Sequence, residues 1–138
     1  MTPTRRPAAD QRVRHEAATR LGHSYLLEAG AGTGKTTVLL DRVTEILKTN
    51  ILLERIAVIT FTEKAAGELK LRLRRGMEEM IGAAEAGSGW EAHLKRSLES
   101  LDRATVSTIH SFAASLLRER PIEANIDPRF AVADQLGA

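Results

Sequence analysis

Residues 29–36 read Ala29-Gly30-Ala31-Gly32-Thr33-Gly34-Lys35-Thr36. This is the phosphate-loop pattern, except that Ala29 stands where its first glycine is expected. Glycines at 30, 32 and 34 let successive backbone N–H groups turn inward around a triphosphate with no Cβ in the way. A helix that starts at once aims the positive end of its dipole at the same place. Lys35 can then reach the outer phosphates as a point charge, and the Thr36 hydroxyl can join the coordination of Mg²⁺. The candidate nucleotide-binding residues are Ala29, Gly30, Ala31, Gly32, Thr33, Gly34, Lys35, Thr36 and Thr37. Lys35 and Thr36 are also the candidate catalytic pair, with Thr36 the candidate metal ligand.

The flanks supply the context that such a loop requires. Ser24 to Ala29, SYLLEA, is a short apolar run between glycines and suits a buried strand. In Thr37–Lys48, the residues Val38, Leu39, Val43, Ile46 and Leu47 fall on one helical face. An accidental GKT in a glycine-rich turn would need neither flank. A phosphate loop alone names no reaction, since it serves kinases, GTPases, transporters and helicases alike.

Farther out, Arg55 to Thr60, RIAVIT, is a second β-branched strand, and residues 62–84 form a long charged amphipathic helix. Gly87, Ser88 and Gly89 mark a loop before a helix over 90–101. Ala104 to Ser107 is a third short strand, followed by a helix from His110 to Glu119 that Pro121 ends. Upstream, Asp10 can cap a helix in which Val13, Ala17, Ala18 and Leu21 recur at three and four residue steps, and Gly22 stops it. Residues 1–9, with Pro3 and Pro7, are expected to be a flexible basic arm. Ile122 to Ala138 shows no clear period. Strand and helix in strict alternation predict an α/β fold with a parallel sheet flanked by helices.

Composition narrows the classes. The chain has no cysteine, which excludes disulfide scaffolds, thiol catalysis and Cys-based zinc sites. An apolar share of 43% with 28% charged residues is enough for a core and argues against wholesale disorder. The net charge of +2 means that any polyanion must be bound by local clusters. One such excess is Arg5, Arg6, Arg12, Arg14 and Arg20 against Asp10 and Glu16. No run approaches the roughly 20 apolar residues of a membrane helix, and nothing after Arg14 resembles a signal peptide. The default expectation is a cytoplasmic protein without membrane contact. A length of 138 residues allows one ordinary domain and not a large motor.

Three further segments carry a family resemblance: Gln11 upstream of the first strand, ITFTEKAAGEL over 59–69, and STIHSF over 107–112. With LEAGAGTGKTT, and in this order, they resemble the amino-terminal end of superfamily 1A DNA helicases, the UvrD/Rep/PcrA-like motors. Within that group the chain looks most like the RecB/AddA-like subunits of exodeoxyribonuclease V-type enzymes. The resemblance covers residues 10–138 and implies a P-loop NTPase sheet of the RecA-like kind.

It also implies roles. Gln11 would contact the adenine of ATP, since an amide can donate to N7 and accept from the N6 amino group. An exposed helix-start glutamine is the plain alternative. Thr60, Phe61, Thr62 and Lys64 would meet single-stranded DNA: Phe61 as a stacking face, Lys64 as a cation for the phosphodiester, the threonines as hydroxyl donors. The competing reading makes Phe61 core and Thr62 a helix cap. Thr108, Ile109 and His110 would form the next DNA-proximal segment, with His110 at the end of the third strand. Lys70, Arg72, Arg74 and Arg75 fall on more than one side of their helix and read as a solvated face.

What is absent matters equally. Motors of this kind need an acidic pair on a neighbouring strand to hold Mg²⁺ and polarise water, and no adjacent Asp-Glu pair occurs in the chain. Asp127 and Asp134 stand alone. The expectation is therefore an amino-terminal part of a larger helicase or translocase acting in DNA repair or recombination. Such a part would bind Mg·ATP weakly, hydrolyse it negligibly and leave an incomplete sheet. A partner subunit with nuclease or helicase activity fits the RecB/AddA side. The alternatives are a UvrD-like parent without nuclease, a P-loop kinase or other phosphotransferase, and a non-catalytic nucleotide-binding module.

Overall fold

Val58 and Val106 are register partners in a two-stranded parallel sheet, and both are buried. Around this pair the computed structural model describes residues 8–30 and 32–132. The elements run α1 (Ala8–Thr19), α2 (Lys35–Lys48), a single 3₁₀ turn (Leu53–Arg55), β1 (Ala57–Thr60), α3 (Glu63–Ala83), α4 (Gly89–Glu99), β2 (Thr105–Thr108) and α5 (Ile109–Glu119). Among the described residues the fold is thus mixed α/β, with one two-stranded parallel sheet and five helices.

Parallel strands cannot be joined by a tight turn, and the chain between β1 and β2 makes the crossover through α3 and α4. The register is Ala57↔Thr105, Val58↔Val106, Ile59↔Ser107 and Thr60↔Thr108. Helix α3 buries Ala66, Leu69, Leu73 and Met77, whose three and four residue steps put them on one face. Of these, Leu69, Leu73 and Met77 meet Val43 and Leu47 of α2, Leu53, Leu94 of α4, and Leu101, Ala104 and Val106 in one apolar cluster. Thr62 caps α3 by accepting from Ala65 N–H at 3.1 Å, and Ser88 caps α4 by accepting from Glu91 N–H at the same distance. No helix among the described residues is long and apolar enough to cross a membrane.

Two expectations need correction. Ser24 to Ala29 forms no strand: residues 24–30 run without regular structure, and Leu26 is 85% exposed. A strand needs a neighbour to take its N–H and C=O groups, and no described strand pairs with this segment. His110 does not end the third strand. That strand stops at Thr108, whose hydroxyl accepts from Ser111 N–H and starts α5, so His110 sits in the first helical turn. A smaller difference concerns α1, which begins at Ala8 and takes in the last two residues of the expected arm. Residues 1–7 of that arm lie outside the described residues, as does Asp134.

Candidate functional site

The loop before α2 is shaped by two glycines in the left-handed region, Gly32 at φ 73° and Gly34 at φ 91°. Gly34 is the N-cap of α2 and offers no side-chain cap, so the first N–H groups of the helix are left facing the loop. The Thr33 hydroxyl donates to the Gly30 carbonyl at 2.6 Å, and the Lys35 ammonium folds back onto the Ala29 carbonyl. Gly30, Gly32, Thr33, Gly34, Lys35, Thr36 and Thr37 line one cavity of about 350 Å³. Ala31 lies outside the described residues. Uncapped N–H groups, a helix dipole and a lysine around one hollow make a site for a polyanion.

The same cavity has an eighth wall residue that sequence reasoning missed, Arg72 of α3. It also lines a second hollow, of about 210 Å³, with Thr36, Thr60, Ala65, Glu68 and Leu69. The signal was available in the spacing: residues 65, 68, 69 and 72 form one helical stripe, bordering the buried Leu69 and Leu73. Counting basic residues by face hid it, because only the fold shows that this stripe turns toward the phosphate loop. Thr36 and Thr60, from two separately expected segments, share this second hollow.

Gln11 is exposed on α1 and lines a different cavity, of about 380 Å³, with Arg14, His15, Ala18, Thr19, Asp41, Thr44 and Glu45. The structure therefore does not set Gln11 in the wall of the cavity beside the glycine-rich loop. The link between the two is Arg14, one helical turn farther on. Its guanidinium donates to the Thr33 carbonyl at 2.6 Å and pairs with Asp10 at 3.1 Å. A Cβ on Gly34 would stand 2.9 Å from Arg14 Nη1, so the loop is closely covered there. Arg42 of α2 secures the other end of α1 by donating to the Ala17 carbonyl, and to the His23 carbonyl at 2.9 Å.

At the carboxyl ends of the strands the candidate DNA-contacting residues divide into two kinds. Phe61 is 94% exposed, which removes the core alternative for it, and Lys64 and His110 are exposed beside it in sequence motifs that the sheet brings together. Thr60, Thr62 and Thr108 have their hydroxyls engaged. Thr60 donates to the Thr62 carbonyl at 3.0 Å, Thr62 caps α3, and Thr108 is buried and caps α5. The parallel register that sets Thr60 opposite Thr108 is what brings the two exit turns side by side. Exposed Phe61 and Lys64 thus follow one strand and exposed His110 the other, and the engaged hydroxyls belong to the same two turns.

Comparison with known proteins bears on this arrangement. The profile of the UvrD/REP helicase N-terminal domain matches residues 10–137. An ATP-dependent helicase/nuclease subunit of Listeria monocytogenes is 37% identical over 118 residues, which is 83% of this chain and 9% of that protein. Its namesake from Alkaliphilus metalliredigens is 41% identical over 115 residues, 82% of this chain and 9% of its own length. That from Heliobacterium modesticaldum is 37% identical over 120 residues, 87% and 8% respectively. The chain thus spans under a tenth of the length of these curated relatives.

Proposed function

The chain belongs to the UvrD/REP helicase N-terminal domain family, and from that premise we propose that it supplies the nucleotide-binding entry part of an ATP-driven DNA translocase. Residues 10–138 form the amino-terminal part of the first RecA-like domain in this reading. Gly30 to Thr37 hold the triphosphate, with Lys35 on the outer phosphates, Arg72 facing them from α3, and Gln11 toward the base. Phe61, Lys64 and His110 contact single-stranded DNA, while Thr60, Thr62 and Thr108 hold the turns that present them.

One observation carries this reading: Thr36 of the phosphate loop and Thr60 at the end of β1 line the same small hollow, with Arg72 shared between it and the phosphate cavity. A change at the phosphates therefore has a contiguous path of packed groups to the turn that bears Phe61.

ATP and Mg²⁺ can be tested against the residues present. The N–H groups at the start of α2, Lys35 and Arg72 fit a triphosphate in charge and donor type. No three carboxylate or imidazole groups converge on a cation site among the described residues. Magnesium would accordingly be held through Thr36 and the nucleotide's own oxygens. When bound, it would neutralise charge on the phosphate oxygens. The role of the chain's own groups is to bind and orient: Lys35 leaves the Ala29 carbonyl for a phosphate oxygen, and Arg14 keeps the loop's Thr33 carbonyl turned away from the anion.

The relatives are named as subunits of an ATP-dependent helicase/nuclease, which supports a parent with a nuclease and a second subunit over a UvrD-like parent without one. Repair or recombination, in the cytoplasm, is the setting this reading implies. The test uses a fluorescent ATP analogue with Mg²⁺ on the purified chain. Binding is expected to be weak, to vanish in Lys35→Ala, and to lead to negligible hydrolysis with or without oligonucleotide. Substantial DNA-stimulated hydrolysis would overturn it. Phosphorylation of a small acceptor without DNA would favour a kinase instead.

A further inference from the structure

The sheet ladder ends at Thr60↔Thr108, and beyond it the two exit turns are tied by side chains that converge on Glu63. The Thr108 hydroxyl lies 3.1 Å from Glu63 Oε1, and the Ser111 hydroxyl lies 3.1 Å from the same oxygen. Each hydroxyl has one proton to give. Thr108 accepts from Ser111 N–H at 3.2 Å, and its hydroxyl also lies 3.0 Å from the Ser111 hydroxyl, so its one proton can go to either oxygen; the carboxylate, which only accepts, draws it and the Ser111 proton together. One acidic oxygen thus joins the first residue of α3 to the first turn of α5, across 45 and 48 residues of sequence. Phe61 lies two residues before this tie on one side, and His110 lies between its two donors on the other.

We propose that Glu63 is a positioning residue for single-stranded DNA: its carboxylate locks the Phe61 turn to the His110 turn so that the aromatic face and the basic groups present one surface. The proposal rests on the reading of this edge as DNA-contacting. Charge makes it testable, because an exposed carboxylate beside a polyanion's path repels that polyanion. If charge were its whole contribution, every neutral substitution of Glu63 would tighten binding. A tie predicts opposite results for two neutral substitutions.

The experiment measures anisotropy of a fluorescein-labelled oligothymidine at low salt with the purified chain. Glu63→Gln keeps an oxygen that accepts from both hydroxyls and loses the charge, so affinity is expected to hold or rise by up to about threefold. Glu63→Ala loses the tie as well, and affinity is expected to fall by about three- to tenfold. Phe61→Ala is expected to lose about fivefold or more, as removal of a stacking platform does. Adding Glu63→Ala to Phe61→Ala is expected to cost less than about twofold further, since the tie acts through the aromatic turn. Binding of a fluorescent ATP analogue stays the same in all four.

Equal affinities for Glu63→Ala and Glu63→Gln overturn the proposal, as do fully additive losses in the double variant. If neither Phe61→Ala nor Lys64→Ala weakens binding, the DNA reading of the edge fails, whatever Glu63 does. Should Glu63→Ala lose its helical circular dichroism, Ser111→Ala decides. It removes one of the two donors and leaves both helix caps in place, and unchanged affinity there overturns the proposal.

Discussion

Ser24–Ala29 and Arg55–Thr60 are hexapeptides of similar apolar character that lead to the two halves of the candidate site. They end in different states. In the second, Val58 is buried under α3 and hydrogen-bonded alongside β2, and the segment is a strand. In the first, Tyr25 is 38% and Leu26 85% exposed, and no sheet bonds form. Its visible support is Arg42, whose guanidinium stands 5.5 Å above the Tyr25 ring and donates to the His23 carbonyl. An apolar run therefore becomes a strand only where a neighbouring edge takes its backbone groups and a helix layer covers its face. The described glycines before α2 nevertheless take up their left-handed conformations, which depend on the start of α2 more than on the segment before it.

The largest effect is expected from removing one leucine of the core that covers the second segment, against one leucine of the first segment itself. Leu94 is fully buried beneath the sheet, and Leu94→Ala is expected to cost about 2–5 kcal/mol. Leu26→Ala is expected to change stability by under about 0.5 kcal/mol. Urea midpoints at unchanged slope report both. A loss for Leu26→Ala comparable with that for Leu94→Ala would mean that the first segment is packed as the core around Val58 is. Amide exchange gives the same contrast without mutation, fast at Tyr25 to Leu27 and slow at Val58 and Val106.

Most of the helices were legible because their periodicity and caps are local properties. Thr62 followed by an apolar stripe fixes the start of α3, Pro121 limits α5, and Ser88 opens α4, all readable one residue at a time. The fate of Ser24–Ala29 was not legible, since strand formation is a property of two segments and composition describes one. The site divides the same way. The glycines and Lys35 could be read from a single octapeptide, whereas Arg72, Arg14 and the tie at Glu63 depend on which helix face meets which loop. His110 was displaced by one local event, the capping of α5 by Thr108, which sends the chain into the helix directly after the strand.

The next comparison is between helix starts. Gly34 opens α2 at φ 91°, while Thr62 opens α3 from extended backbone with its hydroxyl as cap. Gly34→Ala is expected to cost about 1–2 kcal/mol for a Cβ in the left-handed region. Its contact with Arg14 Nη1 adds to this, and Arg14→Ala in the same chain relieves the contact and not the backbone term. Thr62→Ala is expected to cost about 1 kcal/mol. Thermal melting separates the pair, and the ATP analogue adds a second readout: Gly34→Ala weakens nucleotide binding, and Thr62→Ala leaves it unchanged. Weakened nucleotide binding in Thr62→Ala would mean that the two starts are more tightly coupled than their separate hydrogen bonds indicate.

The smallest expected effect lies in the loop before α4, on the side built around the sheet. Glu91 accepts from Lys95 and from the Gly87 N–H, the latter at 2.6 Å, and these two bonds hold its carboxyl below the ordinary carboxylate range, the Lys95 bond more strongly. A carboxyl lowered in the folded state contributes stability that is present above its unfolded value, and that is lost as pH falls through its folded one. Wild-type stability should therefore decline slightly more steeply through the acid range than that of Glu91→Gln, and the two curves should run parallel once the Glu91 carboxyl is protonated in both the folded and the unfolded chain. The loop before α2 is closed by a hydroxyl on a carbonyl and a guanidinium on a carbonyl, with no carboxylate in either bond. Acid should consequently loosen residues 84–88 before it loosens residues 29–36, as amide exchange between pH 5 and pH 3 would resolve. The reverse order would show that the charge on Asp10, which pairs with Arg14, holds the phosphate loop more firmly than Glu91 holds its own turn.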